Sequence, residues 1–157
     1  AYLWKTDSGV VRGRISLMKV MVSACLLGEN CKYNGGNNLS DKVTRFIEGH
    51  EVIPVCPEVM GGLPTPRVPS EIVNGVVTMA DGRIVDEEFR KGAQIGLNLA
   101  KENKVDIVIL QSRSPSCGVK QIYDGTFSGK KIEGQGIFAR LLTENGFRIV
   151  DVEDLDD

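Results

Sequence analysis

Histidine and closely paired cysteines are scarce in this chain, and their shortage argues against whole classes of function. Its 157 residues include one histidine, one tryptophan and four cysteines. Structural zinc sites draw four ligands from closely spaced Cys and His residues. No C-x-x-C pair is present, so neither a zinc ribbon nor a thioredoxin-like redox centre is indicated. His50, beside Gly49 and ahead of an apolar run, is expected to be solvated rather than a ligand. No apolar run approaches the roughly 20 residues that span a bilayer, so no membrane partner is expected. GGNN and GTFSGKKIEGQG are glycine-rich, yet neither has P-loop spacing or follows a strand as a dinucleotide fingerprint, which sets aside nucleotide hydrolysis and NAD. A net charge of −2 supplies no broad attraction for nucleic acid.

What remains is the composition of an ordinary globular domain, 41% hydrophobic and 25% charged, long enough to bury a core. Residues 1–17, AYLWKTDSGVVRGRISL, differ in character from the rest of the chain and lack the apolar h-region of a signal peptide. They are expected to be a non-native or peripheral leader, with Met18 opening one domain over residues 18–157. Removing Lys5, Arg12, Arg14 and Asp7 from 19 basic and 21 acidic residues leaves 16 and 20, a net charge of −4. With no export signal, a reducing cytoplasm is expected, where cysteines are free, metal-bound or catalytic rather than a disulfide framework.

Strands are expected over Lys19–Ala24, Glu51–Val55, Val105–Leu110 and Phe147–Val152. Helices are expected from Ser40 or Asp41 to about Glu48, from Asp86 to about Asn103, and over Gln135–Glu144. On the long helix Phe89, Ala93, Gly96 and Ala100 share one face. Asp81-Gly82 marks a hairpin within Gly75–Val85. The segment EVMGGLPTPRVPSE and the stretch from Gln111 to Gly134 read as irregular loops, and the chain ends in a fraying acidic tail. Alternating strands and helices indicate an α/β fold: a single domain with a mostly parallel, Rossmann-like three-layer sheet flanked by helices, plus a small β-hairpin.

Three cysteines lie just past strand ends: Cys25 after KVMVSA, Cys56 after EVIPV, and Cys117 a short loop beyond VDIVILQS. In an open parallel sheet such positions gather in the crevice beyond the strands' carboxyl ends. Three soft thiolates there suit a metal or an iron–sulfur cluster with one ligand position left open. Buried cysteines that merely pack as small hydrophobes are the plain alternative. Cys31 is either a fourth ligand or a neighbouring redox-active thiol. Glu58, two residues after Cys56 on a Pro-fixed turn, could act as general acid or base. Ser114 and Ser116 flank Pro115 and could hydrogen-bond a thiolate or a substrate carbonyl. Arg67 could hold an anion or carbonyl, or form a surface ion pair.

CLLGENCKYNGG, PVCPEVMGGLPTPR, SPSCG and IYDGTFSG, in this order and spacing, resemble the small bacterial family that contains the thiouracil desulfidases. The resemblance runs from Met18 to about Glu153. It implies a [4Fe–4S] cluster held by Cys25, Cys56 and Cys117, a catalytic carboxylate at Glu58 and an assisting serine at Ser114, with Cys31 not a ligand. Such a cluster can be missing from aerobically prepared protein. The implied reaction is a non-redox removal of sulfur from a thiolated pyrimidine, a small-molecule substrate, with release of hydrogen sulfide. Three other readings stay open on the residues alone. One is sulfur transfer to a nucleobase or tRNA, another a non-enzymatic metal- or sulfide-binding module, and the third a zinc-stabilised domain.

Overall fold

The computed structural model describes residues 17–156, so the leader expected over residues 1–17 lies outside the described residues except for Leu17. Four strands form one parallel sheet: β1 (Lys19–Ser23), β2 (Glu51–Val55), β5 (Ile107–Leu110) and β8 (Ile149–Asp151), in the order β2-β1-β5-β8. The central pair is apolar on both faces, as a doubly covered parallel sheet requires. Val20, Val22, Ile107 and Ile109 pack with Val43, Leu26 and Leu155 on one side. Met21, Val108 and Leu110 pack with Ala93, Leu97, Phe138 and Leu142 on the other. Pro54 lies in β2, at the sheet's edge, where its missing N–H costs least.

The first of these faces is covered by α1 (Asp41–Phe46), whose N-cap Ser40 accepts a hydrogen bond from the Val43 N–H. The second is covered by α3 (Asp86–Glu102) and α4 (Ile137–Glu144). Helices on both faces give the expected three-layer α/β domain. The face predicted for α3 is the buried one: Phe89, Ala93, Gly96 and Ala100 are all in the interior. No helix is long and apolar enough to cross a membrane among the described residues.

Several local expectations are corrected. The segment after Cys56 is not wholly irregular, because Pro57–Met60 forms a one-turn helix, α2. Pro57 sits at its first position, where a fixed φ helps and the absent N–H is not missed. The main hairpin joins β3 (Ser70–Val73) to β4 (Val76–Met79) around Asn74-Gly75, both at positive φ. The Asp81-Gly82 turn closes only a single bridge, Thr78 to Ile84, because the chain enters α3 at Asp86. A second hairpin, β6 (Gln121–Tyr123) with β7 (Lys131–Glu133), occupies the stretch expected to be loop. Each arm has three residues and β7 is exposed, so no apolar alternation marks it. The acidic tail does not fray before Asp156: Glu153 pairs with Arg113 at 2.7 Å, Asp154 with Lys120 at 2.9 Å, and Leu155 is buried.

Helix α2 lies directly on α3 through two glycines. A Cβ on Gly92 would stand 1.7 Å from the Pro57 carbonyl oxygen, and one on Gly61 would stand 2.0 Å from that of Glu88. Backbone thus meets backbone, with no flexible side chain to yield. Gly92→Ala is therefore expected to destabilise the protein by at least about 1–3 kcal/mol, the usual cost of overpacking. Urea denaturation measures it, and an unchanged midpoint would show that α2 is free to move away from α3.

Candidate active site at the carboxyl ends of the strands

Each of the three motif cysteines is placed by the turn that ends a strand. Cys25 lies in a tight 3-10 turn, Ala24–Leu27, stopped by Gly28 at φ 96°. Its carbonyl oxygen accepts the Asn38 N–H at 2.9 Å, and the Leu26 carbonyl accepts that of Ser40 at 3.1 Å, which folds the glycine- and asparagine-rich loop back over the site. Cys56 is the N-cap of α2, so Glu58 occupies the helix's first turn. Cys117 follows the Ser114–Ser116 turn, which is seated on the start of α4. The Pro115 carbonyl accepts the Ile137 N–H at 2.8 Å and the Ser116 carbonyl that of Phe138 at 2.9 Å, meeting otherwise orphaned helix donors.

These turns enclose one cavity of about 640 Å³, within the usual size range of small-ligand sites. Cys25, Cys56, Cys117, Cys31, Glu58, Arg67, Ser114 and Ser116, every residue singled out from the sequence as a site candidate, line it. His50 is not in the lining. It stands at the other end of β2, accepting the Met18 N–H on Nδ1 at 2.9 Å and stacking on Phe46.

All four cysteines are free thiols. Burial pushes the Cys117 thiol up to about 12, against weaker opposition from hydrogen bonds to Ser23 and Ser116. Cys31 is likewise raised to about 12, by burial first and then by the proximity of Cys56, whose thiol it hydrogen-bonds. Burial also raises Cys25, partly offset by the Asn38 amide, whose Nδ2 donates to its sulfur at 3.5 Å. Ser23 and Asn38 thus touch candidate ligands although no sequence signal marked them. Ser23 reads as ordinary strand, and Asn38 reaches Cys25 only through the fold of the loop between them.

Glu58 is fixed from two sides. Its Oε1 accepts from both Nε and one terminal nitrogen of Arg67, each at 2.9 Å. The Arg67 side chain is 5% exposed, and its remaining donors go to the carbonyls of Cys31 (2.9 Å) and Pro64 (3.2 Å) and to the Thr65 hydroxyl (3.0 Å). Its guanidinium is neither a surface ion pair nor a vacant fork for an anion. The second Glu58 oxygen, Oε2, faces the Ser116 hydroxyl at 3.3 Å. Ser116, 1% exposed, also lies 3.5 Å from the Cys117 sulfur and 3.2 Å from the Ser114 hydroxyl. The Ser114 oxygen accepts the N–H groups of Ser116 (3.1 Å) and Cys117 (2.9 Å), so this side chain both shapes the turn and keeps an O–H to donate.

Among the described residues, no three or more His, Cys, Asp or Glu side chains converge closely enough to hold a metal ion. The lining is nonetheless rich in soft donors, with four thiols sharing one cavity without gathering to single-ion distances. A carboxylate, Glu58, and two hydroxyls, Ser114 and Ser116, line the same cavity.

Comparison with known proteins identifies relatives of this chain. An uncharacterized protein of Bacillus subtilis (strain 168), YbbK, is 40% identical over 148 residues, covering 88% of this chain and 98% of its own. The solved structure of TudS, a [4Fe–4S]-dependent thiouracil desulfidase, superposes with a TM-score of 0.83 at 36% identity, covering 88% of this chain and 93% of that one. The family model described as 2-thiouracil desulfurase matches residues 20–154, and the chain belongs to that family.

Proposed function

We propose that this protein removes the exocyclic sulfur of a thiolated pyrimidine, a thiouracil-type base or nucleoside, without net redox change. Water supplies the oxygen of the oxo product, and sulfur leaves as hydrogen sulfide. The observation that carries this reading is the convergence of soft donors, carboxylate and hydroxyls in one cavity at the strand ends. Family membership and the similarity to TudS support it.

The donor set fits a [4Fe–4S] cluster. Cys25, Cys56 and Cys117 would hold it, each on a separate turn. When bound, such a cluster supplies a thiophilic Lewis acid at the iron that no cysteine holds. Glu58 moves the protons. Arg67 occupies Oε1, which leaves Oε2, toward Ser116, to take a proton from water or pass one to a ring nitrogen. The Ser114 hydroxyl, its oxygen already accepting two amides, donates to the substrate's polar edge. Arg67 positions Glu58 and braces the loop over the site, its donors being filled by the chain itself. Cys31 stands next to Cys56 as a thiol outside the ligand set.

Anaerobic reconstitution is expected to yield about four irons and four acid-labile sulfides per chain with a brown visible spectrum. Cys117→Ser loses them and Cys31→Ser keeps them. One zinc per chain, or no metal, would refute the cluster. In the reconstituted protein Glu58→Gln is expected to lower thiouracil turnover by about 10²–10⁴-fold, the usual span for a lost acid or base, with the cluster's absorbance intact. Retained turnover would transfer the base role elsewhere, whereas a sensing module would show no turnover to lose.

The raised thiols give the cluster-free protein a pH dependence. Their folded values lie above the ordinary 9.0, so the fold binds more protons than the unfolded chain once pH passes that point. The contribution is complete below about pH 9 and is lost as pH rises toward about 12. Denaturation midpoints of the cluster-free protein are expected to fall across that alkaline window, and Cys117→Ala to flatten the fall. A midpoint independent of pH up to about 11 would contradict the buried, protonated thiols.

A further inference from the structure

The motif IYDGTFSG has no part in the chemistry of Glu58 and the cysteines, yet it brings an aromatic ring to the same cavity. Phe127 sits in the tip between β6 and β7 and lines the cavity together with Glu58, Tyr33 and Tyr123. It is 37% exposed and belongs to none of the buried clusters, whereas Phe89 and Phe138 in the core are 0% exposed. The ring therefore does not hold the domain together.

Its backbone is costly. Phe127 has φ 55°, a region where a bulky residue is an outlier. Gly125 and Gly129 in the same tip take positive φ freely, so a glycine would suit the backbone at 127 better than phenylalanine does. The conformation is held from outside the tip. Glu71, on β3, accepts the Phe127 N–H at 3.1 Å and the Gly125 N–H at 2.9 Å on the same carboxylate oxygen. Gly125 is pressed so closely on β3 that a Cβ there would stand 2.6 Å from the Ile72 carbonyl oxygen. Asp124 and Ser128 brace Thr126 from either side. Strained backbone that its surroundings over-determine is a mark of functional positions.

We propose that Phe127 is the stacking platform for the flat heterocycle of the substrate, and that Glu71 acts through it by fixing the tip. This rests on the desulfidase reading for the identity of the ring, but the platform itself recognises any planar nucleobase. Ring-on-ring stacking tolerates different bases, because every base presents a π-face. Orientation about that face is then left to the polar groups deeper in the cavity.

The test compares Phe127→Leu, Phe127→Trp and Glu71→Ala in the reconstituted protein. It uses KM and kcat for 2-thiouracil, the dissociation constant of uracil by calorimetry, and thermal midpoints. Phe127→Leu is expected to weaken uracil binding and raise KM about ten-fold, equivalent to about 1.4 kcal/mol, with a smaller effect on kcat. Phe127→Trp restores both, and Glu71→Ala weakens binding without adding to the loss in the Phe127→Leu background. Unchanged uracil affinity and KM in Phe127→Leu would overturn the platform and leave the desulfidase reading standing. Equal losses in Phe127→Leu and Phe127→Trp, with a shared fall in thermal midpoint, would also overturn it, since the ring would then be structural. Uracil binding that depends on Phe127 in a protein that does not desulfidate thiouracil would keep the platform and reject the desulfidase reading.

Discussion

Strands β1 and β5 lie side by side in the middle of the sheet, and the chain leaves them in opposite directions. From β1 it passes to β2 on one flank; from β5 it reaches β8 on the other. The connections at their carboxyl ends therefore diverge and leave a crevice, the place where open parallel sheets take ligands. Cys25 and Cys117 stand on its two sides, and Cys56 closes it from the neighbouring edge strand. The rest of the site depends on how these loops are kept from relaxing into the gap.

Two devices keep them apart. One is backbone contact: α2 meets α3 through Gly61 and Gly92, and the Ser114–Ser116 turn is hydrogen-bonded to the start of α4, so the turns of Cys56 and Cys117 both rest on helices that the core has already fixed. The other is Arg67, a nearly buried guanidinium that links Glu58 to the loop carrying Cys31. A planar fork with its donors filled is well suited to holding irregular loops at fixed spacing, since each bond restricts direction as well as distance. The same arrangement leaves the second Glu58 oxygen facing the Ser116 hydroxyl. Desolvation sets the character of Cys25, Cys31 and Cys117, whose thiols burial pushes above their ordinary range.

Apolar runs bounded by turn residues specified all four strands of the main sheet to within one or two residues, most clearly the central β1 and β5, where a strand covered on both faces has to be continuously hydrophobic. The α3 face was equally legible from its 3.6-residue spacing. The second hairpin was not, since three-residue arms with an exposed partner strand carry no alternation. Asn74-Gly75 outranked Asp81-Gly82 because Asp86 starts a helix too soon for the later turn to grow a strand.

The cysteine positions, Glu58 and the serine turn were readable because each is tied to a strand end or to a proline, features fixed by local sequence. What each group does to its neighbours was decided by packing. That the Arg67 donors meet Glu58, Cys31, Pro64 and Thr65 depends on how separate loops pack together. Asn38 beside Cys25, Ser116 between Glu58 and Cys117, and Phe127 clamped by Glu71 make contacts at sequence separations of 13 to 58, apart from the adjacent Ser116–Cys117 pair. Local sequence determines where a strand stops and which donor stands there. Only the closed tertiary structure fixes which groups lose their water together, and that shared desolvation sets their charge, their partners and their reactivity.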